Sequence, residues 1–218
     1  SKDTDGDGLS DNVDPAPLRR STATACATPR PATPTCTATT TPSPTPPSYA
    51  TPSCAMAVGE AFVSTWSNGA VYGRLGCAIN AQHSATSAEE TFERGHMLWR
   101  DKRGDLDSVY TIFDDQTYRS FSRKTDAFVE GVNPEYSCGE PSSPPYPRRG
   151  FSVVWCNHPD VRAKLGYALE REQGFCMEGG GPCEVFQDFE GGLMYLSAHP
   201  ERQGVVFVLY KDGTWQRW

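Results

Sequence analysis

The sequence predicts an α+β protein: two tandem repeats, each a short helical piece plus a β-hairpin, disulfide-stabilised, after an extended N-terminal stalk. Three observations carry this. The first is an internal match. FVSTWSNGAVYGRLGCA at 62–78 reads against FSVVWCNHPDVRAKLGYA at 151–168 with one residue of slack, FERGHMLW at 92–99 against FEGGLMYL at 189–196, and VYTIFDDQTY at 109–118 against VFVLYKDGTW at 206–215. The second is eight cysteines, an even number among turn-rich sequence without a CxxC, which reads as a disulfide framework in an oxidising compartment. The third is the stretch 21–53, where Thr, Pro and Ser fill 23 of 33 positions and Arg30 is the only charge. Such a segment cannot bury enough apolar surface to offset its chain entropy.

Taken in order, residues 1–20 hold an acidic loop. Residues 3–14 read DTDGDGLSDNVD, with Asp3, Asp5, Asp7, Asp11 and Asp14 at positions 1, 3, 5, 9 and 12 of a twelve-residue loop. Gly8 stands where the backbone must turn sharply, and Leu9 would offer its carbonyl oxygen. Five carboxylates, a carbonyl and water supply the six to eight oxygens that Ca²⁺ takes, so this loop is the predicted cofactor site. No helix-length sequence precedes it, and Pro15 and Pro17 follow it, which excludes a helix-flanked sensor. Residues 21–53 are the stalk, of polyproline type, either a bare spacer or an O-glycosylated one.

The first repeat spans 54–121, a Pro-rich connector 122–149, and the second repeat 150–218. Phe151, Val154 and Trp155 share one helical face, as do Phe62, Val63 and Trp66. Gly76 and Gly166 stand where a helix stops, and Pro159 can start a second turn. Two β-rich runs follow in each copy, with Gly95 or Gly192 as a bend, and the turns DDQ and KDG. Trp66 and Trp155 are expected to be buried where each helix meets its own hairpin. Met97 and Met194 should point inward on the first strand, and Ile112 and Leu209 on the second. Among the cysteines, local loop closure favours Cys176 with Cys183, Cys138 with Cys156, Cys54 with Cys77 and Cys26 with Cys36.

Two resemblances follow from these motifs. The loop at 3–16 resembles a unit of the thrombospondin type 3 repeats of bacterial surface proteins, which implies a structural calcium ion in a stiffened spacer. The Trp, the LG dipeptides at 75–76 and 165–166, and the F-x-x-G pattern resemble the LGFP repeats of bacterial cell-surface proteins. That implies attachment to the cell wall, although LGCA and LGYA lack the family's proline.

Composition limits the function. The net charge is -7 and the mean hydropathy -0.54, which argue against a general nucleic-acid binder. No run approaches the ~20 apolar residues of a membrane-spanning helix. The absence of an initiator Met and of a leader reads as a processed or excised piece. The four histidines are scattered, and no nucleophile-elbow or phosphate-loop motif occurs. Glu93 and Glu190 match between the copies, each read as capping a bend beside its glycine, with a carboxylate pair as the other reading. Arg148 and Arg149 read as a solvated turn. Trp99, Tyr118, Trp215 and Trp218 on strand ends are the candidate glycan-binding residues, set against a packing role. The reading is therefore a non-catalytic secreted or cell-surface protein that attaches to extracellular or cell-wall polysaccharide, with no membrane span. The alternatives are a self-associating filament or sheath subunit and, third, a glycan hydrolase.

Overall fold

A computed structural model describes residues 53–101, 107–122, 126, 128–139, 145–177 and 180–218. The calcium loop, the stalk and Cys26 and Cys36 lie outside the described residues. The structure is α+β, with four helices and two five-stranded antiparallel sheets among those residues.

The two halves run through the same elements. The first has α1 (Glu60–Trp66), α2 (Gly69–Leu75), β1 (His83–Ala85), β2 (Ser87–Phe92), β3 (Gly95–Arg100), β4 (Asp107–Phe113) and β5 (Tyr118–Ser122). The second has α3 (Arg149–Asn157), α4 (Pro159–Leu165), β6 (Gln173–Phe175), β7 (Glu184–Phe189), β8 (Gly192–Leu196), β9 (Val206–Tyr210) and β10 (Trp215–Arg217), with a single 3-10 turn at Pro200–Arg202 between β8 and β9. Local chemistry sets the helix ends. The Asn68 side chain accepts from Ala70 N at 3.0 Å to start α2, and Pro159 opens α4. Gly76 (φ 68°) and Gly166 (φ 84°) end α2 and α4 in a conformation that side chains disfavour.

The halves do not fold side by side. One sheet has the order β1-β7-β8-β9-β10, the other β5-β4-β3-β2-β6, so the first strand of each half pairs in the other half's sheet. The helices cross as well. Phe62, Trp66, Val71 and Leu75 pack on Phe189, Met194, Val206, Val208 and Tyr210. Phe151, Val154, Trp155, Val161 and Leu165 pack on Phe92, Met97, Val109, Phe113 and Phe121. Between the sheets lies a third apolar layer of Leu98, Tyr110, Ile112, Phe186, Leu193, Tyr195, Phe207 and Leu209. This gives a helix–sheet–sheet–helix sandwich. The chain changes sheet between Ala85 and Ser87, and again across the loop closed by Cys176–Cys183. The two crossings touch, since Thr86 Oγ1 donates to the Cys176 carbonyl at 3.2 Å.

The crossing corrects the expected pairing of helix with hairpin. Trp66 and Trp155 are buried, but each sits on the other half's sheet. Each indole N–H donates to the carbonyl of the glycine ending the next helix, Trp66 to Gly76 at 2.9 Å and Trp155 to Gly166 at 2.8 Å. Glu93 and Glu190 do not cap their own bends. Glu190 accepts from Cys77 N at 3.0 Å and Glu93 from Tyr167 N at 3.3 Å, across the seam. A Cβ on Gly76 or Gly166 would lie 2.4 Å or 2.2 Å from that carboxylate. The Trp, the LG and the Glu thus form one clasp, present on both sides. Gly95 and Gly192 open β3 and β8, where a Cβ would lie 2.0 Å from the Ile112 or Leu209 carbonyl oxygen. The methionines face the helices and Ile112 and Leu209 face the opposite sheet, so the two expected inward sets belong to different layers.

Disulfides join Cys54 to Cys77, Cys138 to Cys156, and Cys176 to Cys183. The first two fasten the segments before α1 and α3 to their own helix pairs. Each closed loop would contribute about 2–4 kcal/mol in the chain-entropy account.

Candidate functional site

The two hairpin turns meet each other. In DDQT, Asp115 accepts from Thr117 N and Oγ1, and in KDGT, Asp212 accepts from Thr214 N and Oγ1. These Asx turns are cross-linked by Tyr118 N to the Gly213 carbonyl and Trp215 N to the Gln116 carbonyl. Lys164 braces the first through Asp115 and Thr117, and Arg74 braces the second through Asp212 and Thr214.

Beside this junction lies an open groove of about 620 Å³, lined by Asp114, Gln116, Trp215, Gln216, Arg217 and Trp218. Trp215 is fixed: its indole N–H donates to the Phe113 carbonyl at 2.8 Å, and its ring lies 5.6 Å from that of Phe207. Trp218 is 49% exposed, while its backbone pairs with Val206 in both directions. Gln116 has φ 66°, a left-handed backbone for which its counterpart in the other turn is Gly213, at φ 82°. A glycine would serve that turn without strain. The glutamine instead places an amide in the groove. The wall thus combines a pinned indole, an exposed indole, two amides, a carboxylate and a guanidinium. Apolar faces next to planar donors and acceptors are the chemistry that holds a sugar ring and its hydroxyls.

The four candidate aromatics are not brought together. Trp215 and Trp218 share this groove, and Trp99 lines a separate cavity. Tyr118 leans on Tyr110, with ring centroids 6.4 Å apart, and packs against the layer between the sheets. Arg148 and Arg149 are not a solvated turn: Arg148 is the N-cap of α3, and Arg149 is its first residue, with φ 50°. Arg148 pairs with Glu135 at 3.0 Å.

Sequence patterns missed a buried polar network between β2 and β7. Glu89 and Glu184 are fully buried. Glu89 accepts from Ser197 Oγ at 2.5 Å and from Arg202 Nε at 2.8 Å. Burial alone would raise its pKa, but hydrogen bonding by Glu184 and the charge of Arg202, among others, bring it down to about 2. Burial, then Glu89, push Glu184 up to about 10. The two buried carboxyls thus share one proton between them. Burial also keeps the His96 imidazole neutral, at about 3, with Nε2 2.7 Å from the Tyr195 hydroxyl. Arg100 lies in a bidentate pair with Asp188, both bonds at 2.9 Å.

Glu170, His199 and Glu201 place possible metal-ligand atoms within 4.8 Å of one another. The protein itself already uses that imidazole, since Nε2 meets Glu170 at 2.8 Å and Nδ1 accepts from Glu201 N at 3.3 Å. Glu170 also accepts from Thr91 and Gln173. These groups satisfy one another and brace the 3-10 turn. Among the described residues, no helix is long and apolar enough to cross a membrane.

Comparison of the chain with protein-family models, with curated proteins and with solved structures finds no match, so the functional reading rests on this geometry.

Proposed function

We propose that this chain is a non-catalytic secreted or cell-surface bacterial protein whose head attaches to extracellular or cell-wall polysaccharide through the Trp215–Trp218 groove. The observation that carries this is the pinned Trp215 and the half-exposed Trp218 lining one groove with Gln116, Gln216, Asp114 and Arg217. The head is two diverged copies of one unit. Support comes from the identical element order, the matched clasp residues and the equivalent exchange of helices and first strands. Residues 3–14 bind Ca²⁺ through Asp3, Asp5, Asp7, Leu9, Asp11 and Asp14, and residues 21–53 are an O-glycosylated stalk presenting the repeat domain. Three disulfides fit an oxidising, extracellular setting. The filament reading has less support: of the four edge strands, β1, β6 and β10 are each three residues long, and only β5, with five, offers a neighbouring chain a longer edge to pair with.

The test is retention of the chain on insoluble cell-wall and capsular polysaccharides, compared with Trp218→Ala. Trp218 lies outside the core, so the variant should fold normally and lose about tenfold or more in affinity, as for an anchoring aromatic. Equal retention of both proteins on every polysaccharide bound would overturn the groove as the contact.

A further inference from the structure

The two places where the chain changes sheet are equivalent in the fold and opposite in build. From β6 to β7 the chain takes the loop 176–183, which holds Gly180 and Gly181 at φ 96° and 123° and is closed by Cys176–Cys183. Glycine accepts such backbones without a steric cost, and the disulfide fixes both ends of the loop. From β1 to β2 it takes Thr86 alone, between Ala85, paired with Glu184 in one sheet, and Ser87, paired with Arg100 in the other. Residues 82–92 read QHSATSAEETF, with no Gly, Pro, Asn or Asp. Those are the residues that make turns, whereas a β-branched Thr favours extended chain. The local sequence is that of one continuous strand. Tertiary contacts impose the change of sheet on it: Asp101 N donates to the Thr86 carbonyl at 2.8 Å, and Thr86 Oγ1 donates to the Cys176 carbonyl at 3.2 Å.

What hangs on Thr86 is a self-contained piece. Residues 54–85 hold α1, α2 and β1 and join the rest of the sandwich at one end only, whereas α3, α4 and β6 are held between β5 and β7. The disulfide Cys54–Cys77 lies wholly within the piece, and Cys138–Cys156 and Cys176–Cys183 lie wholly outside it. Its apolar face, Phe62, Trp66, Val71 and Leu75, covers β7, β8 and β9 through Phe189, Met194, Val208 and Tyr210. Its polar bonds run the same way: Gly59 N to Gln187, Cys77 N to Glu190, and Arg74 to Asp212 and Thr214. Its strand β1 pairs with β7. His83, 2.9 Å from an Arg100 guanidinium nitrogen, reaches the other sheet. All these partners lie in 86–218, so a second copy's 86–218 offers the same set.

We propose that residues 54–85 swap between two copies of this chain, each copy's α1, α2 and β1 seating on the other's β7–β10, while β1, Thr86 and β2 run on as one strand from one sandwich to the next. The partner is a second copy, and the interface is the α1–α2 seam that the monomer already has. The swap keeps the contacts of that seam and changes only Thr86, which is released from a crossing that its neighbours in sequence do not favour. The entropy of bringing two chains together opposes it, so the monomer prevails in dilute solution and the dimer gains as concentration rises. Both copies give and receive, so the assembly closes on a two-fold axis. The segment must leave its core to swap, so the two forms interconvert slowly and the dimer outlasts dilution. The proposal does not rest on the Trp215–Trp218 groove; the dimer carries two of them.

The full chain is held at about 1 mM, the effective concentration of a short tether, with denaturant at the foot of the unfolding transition, then returned to buffer and diluted. Size exclusion with light scattering should find a dimer in amounts comparable to the monomer, persistent on dilution. The double variant Ser84→Cys with Val185→Cys locates the contact, since these residues face each other in β1 and β7. Its added disulfide should lie within one chain in the monomer and between chains in the dimer, read by mass on a non-reducing gel. Inserting Gly-Gly-Ser after Thr86 lets the chain turn freely and should lower the dimer share about tenfold. Deleting Thr86 should raise it. Absence of a persistent dimer, a dimer whose added disulfides all lie within chains, or an unchanged dimer share in the insertion variant would each overturn the proposal. These readouts are chain mass and linkage, so loss of polysaccharide retention in Trp218→Ala bears on the groove alone.

Discussion

The helix pair α1–α2 and the helix pair α3–α4 sit on their sheets with the same clasp, yet their surroundings have diverged. Each clasp joins a tryptophan, a left-handed glycine and a glutamate from the opposite half. Under α1 the strand and pre-strand positions are the amides Gln187 and Gln82, which bond the backbone at the helix start, and under α3 they are the acids Glu90, fully buried, and Glu172, which lines a cavity. At the turns the contrast reverses sides: Gly213 relaxes one turn, while Gln116 holds the same left-handed backbone and lines the Trp215–Trp218 groove. What both halves keep is what joins them. What differs between them includes the polar groups beneath the helix starts, the place of the disulfide and the left-handed residue of each turn.

The strongest way to break the comparison is to separate the halves. Residues 54–121 alone would carry α1 and α2 without β7–β10, and β2–β5 without α3 and α4. Both apolar faces would be open, in a chain already near the size limit for an independent core. The isolated segment should show no cooperative thermal transition as a monomer, and mixing it with 150–218 should restore one. A folded, monomeric 54–121 with dispersed amide resonances would defeat the exchanged architecture.

A smaller effect compares the clasps directly. Trp155 is more enclosed than Trp66, with Tyr146 and Tyr167 rings 5.5 and 5.8 Å away against a single Tyr72 partner at 5.0 Å. Trp155→Ala should cost about 3–5 kcal/mol, from the lost burial and the cavity left behind. Trp66→Ala should cost less, since Trp66 is slightly more exposed, at 7% against 2%, and has fewer ring partners. Denaturant titration of both variants measures the order, and a larger loss at Trp66 would show that the α1 seam holds the sandwich.

Helices, turns and the clasp glycines were legible because each is local: an i, i+3, i+4 face, a proline opening a helix, an Asx turn. The three disulfides were legible as short loop closures. The partner of each helix was not, because a helix face states only that it must be covered and not by which sheet. One residue, Thr86, separates the strands that enter different sheets, and no periodicity marks such a crossing. The strand β2 itself was missed because SAEETF puts Ser87, Glu89 and Glu90 where buried strands carry apolar residues. Glu89 is tolerated there through partners more than a hundred positions away, Ser197 and Arg202. Of the aromatics, Trp215 and Trp218 could be found as strand-end residues. That Tyr118 packs inward and that Trp99 opens on another cavity depends on tertiary neighbours.

The smallest effect sharpens the comparison of turns. Gln116→Gly makes DDQT resemble KDGT at its left-handed position. A side chain held there costs about 1–3 kcal/mol, and glycine gives back about 0.4–1 kcal/mol through the unfolded chain's freedom, so the variant should be slightly stabilised. The substitution also removes an amide from the groove beside Trp215 and Trp218, so polysaccharide retention should fall while stability holds or rises. Opposite movement of the two quantities would mean that the strain is kept for binding. If stability fell and retention stayed the same, Gln116 would be a structural residue of the turn, and the groove would lose the one feature that sets its turn apart from the other half's.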